Sequence, residues 1–185
     1  MKTLRMLVLT GMATAGVLTA STASADDWPQ GDGFAFGFGH RGVDPRACAQ
    51  GQAQLERNVR TAVSYYTLAF NAGLPRLAVQ KYVGVDKDGN KTYTQHNPFA
   101  ADGPEAFIAF VEFFKGLFPD LNVDIKRTIA QCDLVMTHAH ITTGPNDLGN
   151  AAMDIFRFDR TGRIVEHWDA VQPVEADSAN DNTQF

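Results

Sequence analysis

The sequence predicts an α+β fold in which helices come first and an antiparallel sheet follows. In the first half of the chain, apolar residues recur at three-and-four spacing over residues 52–71 and 104–118, which is the period of amphipathic helices. The second half alternates β-branched and aromatic residues with polar ones, which is the period of strands. Because the two patterns are segregated, they indicate stacked α and β layers rather than a wound α/β sheet.

Three helices are predicted. The first covers residues 52–71 and ends before Gly73, because glycine readily adopts the left-handed conformation found after helix ends. The second, at 75–82, begins with Pro75, where a missing N–H is harmless. The third covers 104–118. We expect these helices to cover one face of the sheet.

Four strands follow the third helix and are joined by short connectors rich in turn residues. Consecutive strands with short connectors form an antiparallel meander, so the sheet is expected to be mainly antiparallel. The predicted strands are residues 121–129, 133–143, 151–158 and 164–171.

The N-terminus has the pattern of a signal peptide. Lys2 and Arg5 precede an apolar run, and Ala23-Ser24-Ala25 offers a cleavage site, so residues 1–25 are predicted to be removed on export to the periplasm or the medium. No second apolar stretch of about 18 residues follows, so no membrane anchor is expected after cleavage.

The ends of the remaining chain differ from its centre in composition. Residues 26–50 are rich in glycine and phenylalanine without helical periodicity, and they are predicted to form an irregular arm. Residues 174–185 are polar and acidic, and they are predicted to be disordered. A single domain over residues 51–173 is left between them.

The charge balance limits the class of partner. The net charge is -5 and the isoelectric point is about 5.4, whereas nucleic-acid binding depends on clustered basic residues. We therefore expect no nucleic-acid partner. The expected binding partner is a small molecule or another protein.

The two cysteines allow two interpretations. In an oxidising compartment Cys48 and Cys132 could form a disulfide that closes a long loop. Alternatively, Cys132 is buried in a strand and Cys48 is unpaired near the surface. The sequence does not decide between them.

Six short motifs occur in a characteristic order and at characteristic separations. They are Phe70-Asn71-Ala72-Gly73, Gln95-His96-Asn97-Pro98, Asp102-Gly103, Phe118-Pro119-Asp120-Leu121, Asp154-Ile155-Phe156-Arg157 and Ile164-Val165-Glu166-His167-Trp168-Asp169. Together they resemble the SnoaL-like polyketide cyclases of the nuclear-transport-factor-2-like superfamily. The resemblance implies a cone-shaped, curved sheet with an apolar interior for a small molecule. It also implies an inner-strand Asp that acts as general acid and base in an intramolecular aldol condensation, without a metal or organic cofactor.

Asp154 matches the family's catalytic Asp. Strand alternation places Asp154 on one face with Phe156, which is predicted to be a ligand-binding residue. If that face lines the interior, burial would favour the proton transfer that such chemistry needs. The alternative is a structural carboxylate held by Arg157 or by a neighbouring strand.

His96 and Asn97 precede Pro98, in a motif that lies near the cavity mouth in the family. His96 is predicted to polarise a substrate carbonyl or to hold the second proton, and Asn97 to bind the ligand. Alternatively, both residues brace the turn that leads to Gly103.

The remaining histidines are candidate ligand-binding residues. His138 and His140 are two residues apart on a strand and therefore share a face, a spacing that can also bind metal. We predict no metal site, because HExxH and CxxC motifs are lacking. His167 and Trp168 end the last strand and are predicted near the ligand, with a structural role as the alternative.

Two functions are compatible with this pattern. The first is cofactor-free acid/base catalysis on a small hydrophobic carbonyl compound, in the lyase or isomerase class, with Asp154 and His96 as catalytic residues. The second is non-catalytic binding of a small molecule outside the cytoplasm, which the predicted export favours. A role mainly as a dimerisation scaffold is a third possibility, and a homodimer is expected under any of the three.

Overall fold

The computed structural model describes residues 47–49 and 51–185. The predicted signal peptide, 1–25, lies outside the described residues, as does the predicted arm, 26–50, except for the 3-10 turn Ala47–Ala49. Among the helices of the described residues, none has the length and apolar character needed to cross a membrane.

The helices occupy the first half of the domain, as predicted. Helix α1 is Gln52–Tyr66, and a π-helical turn, Thr67–Asn71, extends it before the chain turns at Gly73, where φ is 66°. The amide of Asn71 both accepts from the backbone N–H of Val123, at 2.8 Å, and donates to its carbonyl, at 3.0 Å. These two bonds fix the π-helical turn against the sheet. The other helices are α2, Pro75–Tyr82, and α3, Pro104–Leu117.

The sheet has five strands in the order β1-β5-β4-β3-β2. The four long strands form an antiparallel meander, and the short β1 pairs in parallel with β5. The predicted α+β class with a curved, mainly antiparallel sheet covered by N-terminal helices is confirmed. The strands are β1, Thr94–Gln95, β2, Asn122–Gln131, β3, Leu134–Thr142, β4, Asn150–Phe158, and β5, Ile164–Pro173.

The hydrophobic core lies between the helices and one face of the sheet, which we call the inner face. Alternation along β3 and β4 brings Val135, Ala139 and Phe156 to this face, and all three are fully buried. Tyr65 of α1 and Val111 of α3 pack in the same core cluster. The opposite face of the sheet is the outer face.

Cys48 and Cys132 form a disulfide, which decides between the two interpretations left open by the sequence. It joins the 3-10 turn to the connection between β2 and β3, where Cys132 has a φ of 55°. The last residues, 174–185, contain no helix or strand. These residues are predicted to be disordered. In the structure, however, the last of them contacts the sheet: the ring of Phe185 lies 4.3 Å from that of His140.

Candidate functional site

Asp154 lies on the inner face in the middle of β4 and is only 3% exposed. Its Oδ2 accepts the hydroxyl of Thr137, its cross-strand neighbour on β3, at 3.2 Å. Its Oδ1 accepts the hydroxyl of Tyr66 at 2.7 Å. Arg157, the alternative partner considered from the sequence, instead donates to Glu166 and Asp133. The carboxyl group is therefore buried and held by neutral hydroxyl donors.

Tyr66 reaches Asp154 from the last residue of α1. Burial raises the pKa of Tyr66 well above its ordinary value, and the nearby charge of Asp154 raises it further. The phenol therefore keeps its proton throughout the range in which proteins are stable, and it acts as a hydrogen-bond donor. The aromatic ring packs at 5.0 Å from Phe156, edge to face.

His167 completes this group from β5. Its Nε2 lies 3.0 Å from the Tyr66 hydroxyl and 3.3 Å from Oδ1 of Asp154. Its Nδ1 lies 3.2 Å from Oε1 of Gln95. The imidazole is buried, and the cross-strand pairing of Phe156 with His167 explains why it shares the inner face with Asp154.

Gln95 orients the imidazole of His167. Oε1 of Gln95 accepts the backbone N–H of Asn97 at 2.9 Å, so it faces Nδ1 of His167 as an acceptor. This contact favours a hydrogen on Nδ1, and it leaves Nε2 facing the Tyr66 hydroxyl and Oδ1 of Asp154. Tyr66, Asp154 and His167 therefore form one buried hydrogen-bonding network.

Asp169 adjoins this network and lies nearer to solvent. It is the cross-strand neighbour of Asp154, it is half-buried, and its Oδ1 accepts the side-chain amide of Asn97 at 2.6 Å. Burial raises the pKa of Asp169; the nearby His167 and the Asn97 bond oppose that increase, and the charge of Asp154 adds to it. We call Tyr66, Asp154, His167 and Asp169 the acid-base cluster.

Two further phenols adjoin the cluster. Within the described part of the chain, the hydroxyls of Tyr65 and Tyr93 are buried and make no hydrogen bond of ordinary geometry, although they interact with each other, and Tyr93 also with Gln95. Burial raises the pKa of Tyr93, the charges of Asp154 and Asp169 raise it further, and the interactions with Tyr65 and Gln95 oppose that increase. Its ring stacks at 6.1 Å from that of His167. An oxygen atom of a ligand could replace these weak contacts.

The interior around the cluster is filled by aromatic rings, whereas the resemblance implied an open hollow. Tyr65 and Phe107 stack at 4.9 Å, and both are buried along with Tyr66 and Phe156. A cleft of about 220 Å³ lies elsewhere, between α1, Tyr82 and the connection from β4 to β5, and no member of the acid-base cluster lines it. A ligand can therefore reach Asp154 only if side chains move.

His96 and Trp168, predicted at the site, lie on the outer face, and this corrects the prediction. The parallel pairing of β1 with β5 puts Gln95 opposite His167, so the next residue of each strand points the other way. His96 is exposed, stacks on Trp168 at 4.6 Å and lies 2.7 Å from Oε1 of Glu166. Asn97, by contrast, reaches the cluster through Asp169.

His138 and His140 also lie on the outer face, away from Asp154. Their neighbours Thr137 and Ala139 take the inner positions of β3, and strand alternation leaves the histidines outside. His138 contacts Arg127 at 3.1 Å, and His140 contacts the carbonyl oxygen of Leu148 at 2.8 Å. The structure thus gives both side chains structural partners.

Three potential metal-ligating atoms do come together, although not those considered from the sequence. Ligand atoms of Asp154, His167 and Asp169 lie within 4.8 Å of one another. The donors Tyr66 and Asn97 already engage the two carboxylates. Hydrogen bonding among the described residues therefore accounts for this arrangement.

Comparison with known proteins identifies the domain. Residues 87–167 match the family model described as the SnoaL-like domain, and that segment includes Asp154 and His167. This segment is therefore a SnoaL-like domain. None of the curated proteins with which the chain was compared is a significant match.

Solved structures share the SnoaL-like fold at low sequence identity. A candidate polyketide cyclase from Bacillus cereus is 19% identical, with 66% of this chain and 79% of that chain covered and a TM-score of 0.51. A candidate SnoaL-like polyketide cyclase from Jannaschia sp. is 18% identical, with 66% and 90% covered and a TM-score of 0.51. TsrD from Streptomyces laurentii is 17% identical, with 66% and 90% covered and a TM-score of 0.50. At these identities the likeness concerns the fold alone.

Sequence reasoning missed several residues of this SnoaL-like site. The periodicity of residues 52–71 includes Tyr66 but does not distinguish it from the apolar residues, and nothing in the sequence singles out Tyr65 or Tyr93. A buried tyrosine needs a partner for its hydroxyl, so a tyrosine on an apolar helix face is a usable signal. Asp169 stands in the last of the six motifs, and strand alternation places it on one face with His167.

Proposed function

We propose that this SnoaL-like domain binds a small hydrophobic carbonyl compound and catalyses cofactor-free acid/base chemistry on it, an aldol condensation with cyclisation or an isomerisation. The observation that carries the proposal is the buried carboxyl group of Asp154, which accepts from the Tyr66 phenol and lies 3.3 Å from Nε2 of His167. Such chemistry needs a group that takes a proton from carbon and a donor for the oxygen that becomes negative. Asp154 can supply the first, and the neighbouring phenols of Tyr65 and Tyr93 can supply the second.

In this proposal Asp154 removes the proton next to the carbonyl. The phenols of Tyr93 and Tyr65, whose hydroxyls make no hydrogen bond of ordinary geometry among the described residues, donate to the enolate oxygen. His167 returns a proton, and Asn97 orients Asp169 at the solvent side. Phe156 packs against the cluster, and its ring lies 4.9 Å from that of His167.

The closed interior makes substrate entry a conformational step. Tyr66 is the last residue before the π-helical turn Thr67–Asn71, and such turns are frequent at functional sites. Displacement of the Tyr66 ring would uncover Oδ1 of Asp154, which is the atom that must meet the substrate. We therefore expect the substrate to replace the hydroxyl of Tyr66 at Asp154.

We also propose that the protein acts after export, in the periplasm or outside the cell. The disulfide between Cys48 and Cys132 supports this location, because disulfides persist mainly in oxidising compartments. Immunoblotting of cytoplasmic and exported fractions tests it, and a full-length, reduced protein in the cytoplasm would contradict it.

A homodimer formed through the outer face is the assembly we propose. Cross-strand pairing aligns Ile129, Met136, Ile155 and Trp168 in one apolar row on that face. Ile129 is 59% exposed, and an exposed apolar row favours burial against a partner. Light scattering should give twice the chain mass, and Ile155→Lys should give the monomer mass. A wild-type monomer at micromolar concentration would refute the assembly.

The catalytic proposal is tested by exchange of ketone α-protons in deuterated water, with 2-tetralone and cyclohexanone as probes and NMR detection. The ketone α-protons should exchange faster with the wild-type protein than in buffer alone. With the Asp154→Asn variant they should exchange only at the buffer rate. Met153→Leu is the matched control, because Met153 precedes Asp154 on β4 and lies on the outer face. Retention of either ketone without exchange would favour non-catalytic binding. Equal exchange by Asp154→Asn would remove Asp154 from the mechanism.

A further inference from the structure

A second candidate site lies in the cleft of about 220 Å³ beside α1, which we call the arginine cleft. Its α1 side carries Arg57 and Arg60, together with Thr61 and Ser64. Residues three and four apart on a helix share a face, so these side chains converge by helix geometry. The cleft approaches the size of small-molecule sites, which occupy about 300–1,000 Å³.

The opposite wall of the arginine cleft comes from two other elements. Tyr82, at the end of α2, adds an aromatic ring and a hydroxyl, and Thr161 adds a hydroxyl from the connection between β4 and β5. That connection approaches α1 closely, because a side-chain carbon placed on Gly162 would lie 2.9 Å from Nε2 of Gln54. Residues of α1, of α2 and of the connection between β4 and β5 therefore line the same open cleft.

The charge of the cleft is opposite to that of the chain. The chain has a net charge of -5, yet none of the described residues that line the cleft is acidic. Arg57 donates to the neutral Gln54. Arg60 has a carboxylate, Glu56, only at 4.0 Å, and both of these side chains are largely exposed. Exposed pairs at that distance contribute little, so both guanidinium groups can engage a ligand.

The wall of the cleft at Gln54 is fixed by hydrogen bonds to its neighbours. Gln54 accepts from Arg57 and donates to Oδ1 of Asn58 at 2.7 Å. Asn58 is fully buried behind the lining residues and does not itself line the cleft. This chain of contacts holds the Arg57 guanidinium at the cleft, where it can bind an anion.

We propose that the arginine cleft binds a small organic anion, with a carboxylate or phosphate group held by Arg57 and Arg60 and an apolar part against the ring of Tyr82. Planar guanidinium groups bind both anions through paired hydrogen bonds. The hydroxyls of Thr61, Ser64 and Thr161 complete the shell of donors. None of these residues belongs to the acid-base cluster, so the site is independent of the proposed catalysis.

The test is an NMR titration of the full exported chain at low ionic strength, with sodium benzoate and inorganic phosphate as separate probes. Saturable shifts of the Thr161 and Gly162 amides are expected. Tighter benzoate binding would identify a carboxylate ligand, and tighter phosphate binding a phosphate ester. Arg57→Gln should weaken binding by about tenfold or more, since a charged hydrogen bond contributes about 1.5–3 kcal/mol. Arg57→Lys should restore part of it.

Arg76→Gln is the charge-matched control, because Arg76 is exposed on α2 and pairs with Glu105 and Glu112 outside the cleft. The Arg76→Gln variant should bind benzoate and phosphate as tightly as wild type does. The amide spectra of all variants should show the native fold. The proposal is overturned if neither probe gives saturable shifts at Thr161 and Gly162. It is equally overturned if Arg76→Gln weakens binding as much as Arg57→Gln.

Discussion

The hydroxyl of Tyr66 donates to Oδ1 of Asp154 across 2.7 Å, although 88 residues separate the two in the chain. One residue ends the first helix and the other lies in the middle of β4. The bond therefore connects the helical layer to the sheet at the acid-base cluster. Its removal should lower stability and, if the proposed catalysis takes place there, change the rate of ketone exchange.

Tyr66→Phe is expected to lower the free energy of unfolding by about 1–3 kcal/mol, because a buried carboxyl oxygen loses a donor. Urea denaturation measures this change. Tyr82→Phe, at a partly exposed tyrosine, is the control and should be near neutral. A Tyr66→Phe protein as stable as wild type would show that the bond contributes nothing in solution.

The orientation of His167 is directly observable. Because Nδ1 faces the acceptor Oε1 of Gln95, we expect a hydrogen on Nδ1, recognisable from the 15N shifts of the ring nitrogens. Asp154→Asn should change the shift of Nε2, whereas His96, stacked on Trp168, should be unaffected. A ring whose Nδ1 carries no hydrogen would contradict this arrangement.

Asp169 should make stability fall as the pH rises. Burial raises the pKa of Asp169 in the folded protein above its ordinary 3.8, so the folded state binds this proton more tightly than the unfolded state. The contribution is thus fully present below about pH 4, the unfolded value, and it is lost as pH rises through the raised folded pKa.

Asp169→Asn should remove this decline in stability, because asparagine does not titrate. It keeps a side-chain oxygen that can accept the hydrogen bond from Asn97. The stability of wild type relative to the variant should decrease from pH 4 upward and then level off, as measured by urea denaturation. Asp124→Asn, at an exposed acid on β2, should lack this trend. A wild-type advantage that grows with pH would reverse the sign and refute the assignment.

The Cys48 to Cys132 disulfide closes a loop with a sequence separation of 84. The chain-entropy estimate for a loop of this size is about 4 kcal/mol. Reduction, or the double change Cys48→Ala with Cys132→Gly, should therefore lower the free energy of unfolding by an amount of that order; glycine suits the positive φ at position 132. Equal stability of reduced and oxidised protein would show that the unfolded chain gains little freedom.

The fold was predictable because periodicity is a local property. The stripe of α1 and the alternation of β4 can be read from about ten residues each, and alternation alone placed Asp154 on the face with Phe156. The position of His96 was not predictable in this way, because it depends on the register between β1 and β5. A one-residue difference in that register would exchange His96 for Gln95 on the inner face.

The packing of the interior was equally beyond the sequence. Apolar periodicity identifies which side chains face inward, but it does not tell whether they fill the space or leave a cavity. Tyr65 and Phe107 are 42 positions apart in the sequence. They stack only because their helices, α1 and α3, cover the same part of the sheet. Likewise, the arginine cleft depends on a hairpin connection that approaches α1, which no local pattern encodes.

The strand order leaves β2 at one margin of the sheet, and this has a consequence for aggregation. Terminal strands expose unpaired backbone groups and can recruit strands from other molecules. Here the register shifts between Ile125 and Arg127, and Asp124 pairs with Lys126 on the same strand. Irregular backbone and alternating charge both discourage intermolecular strand addition, so this margin is protected against fibril-like growth even where the protein is concentrated.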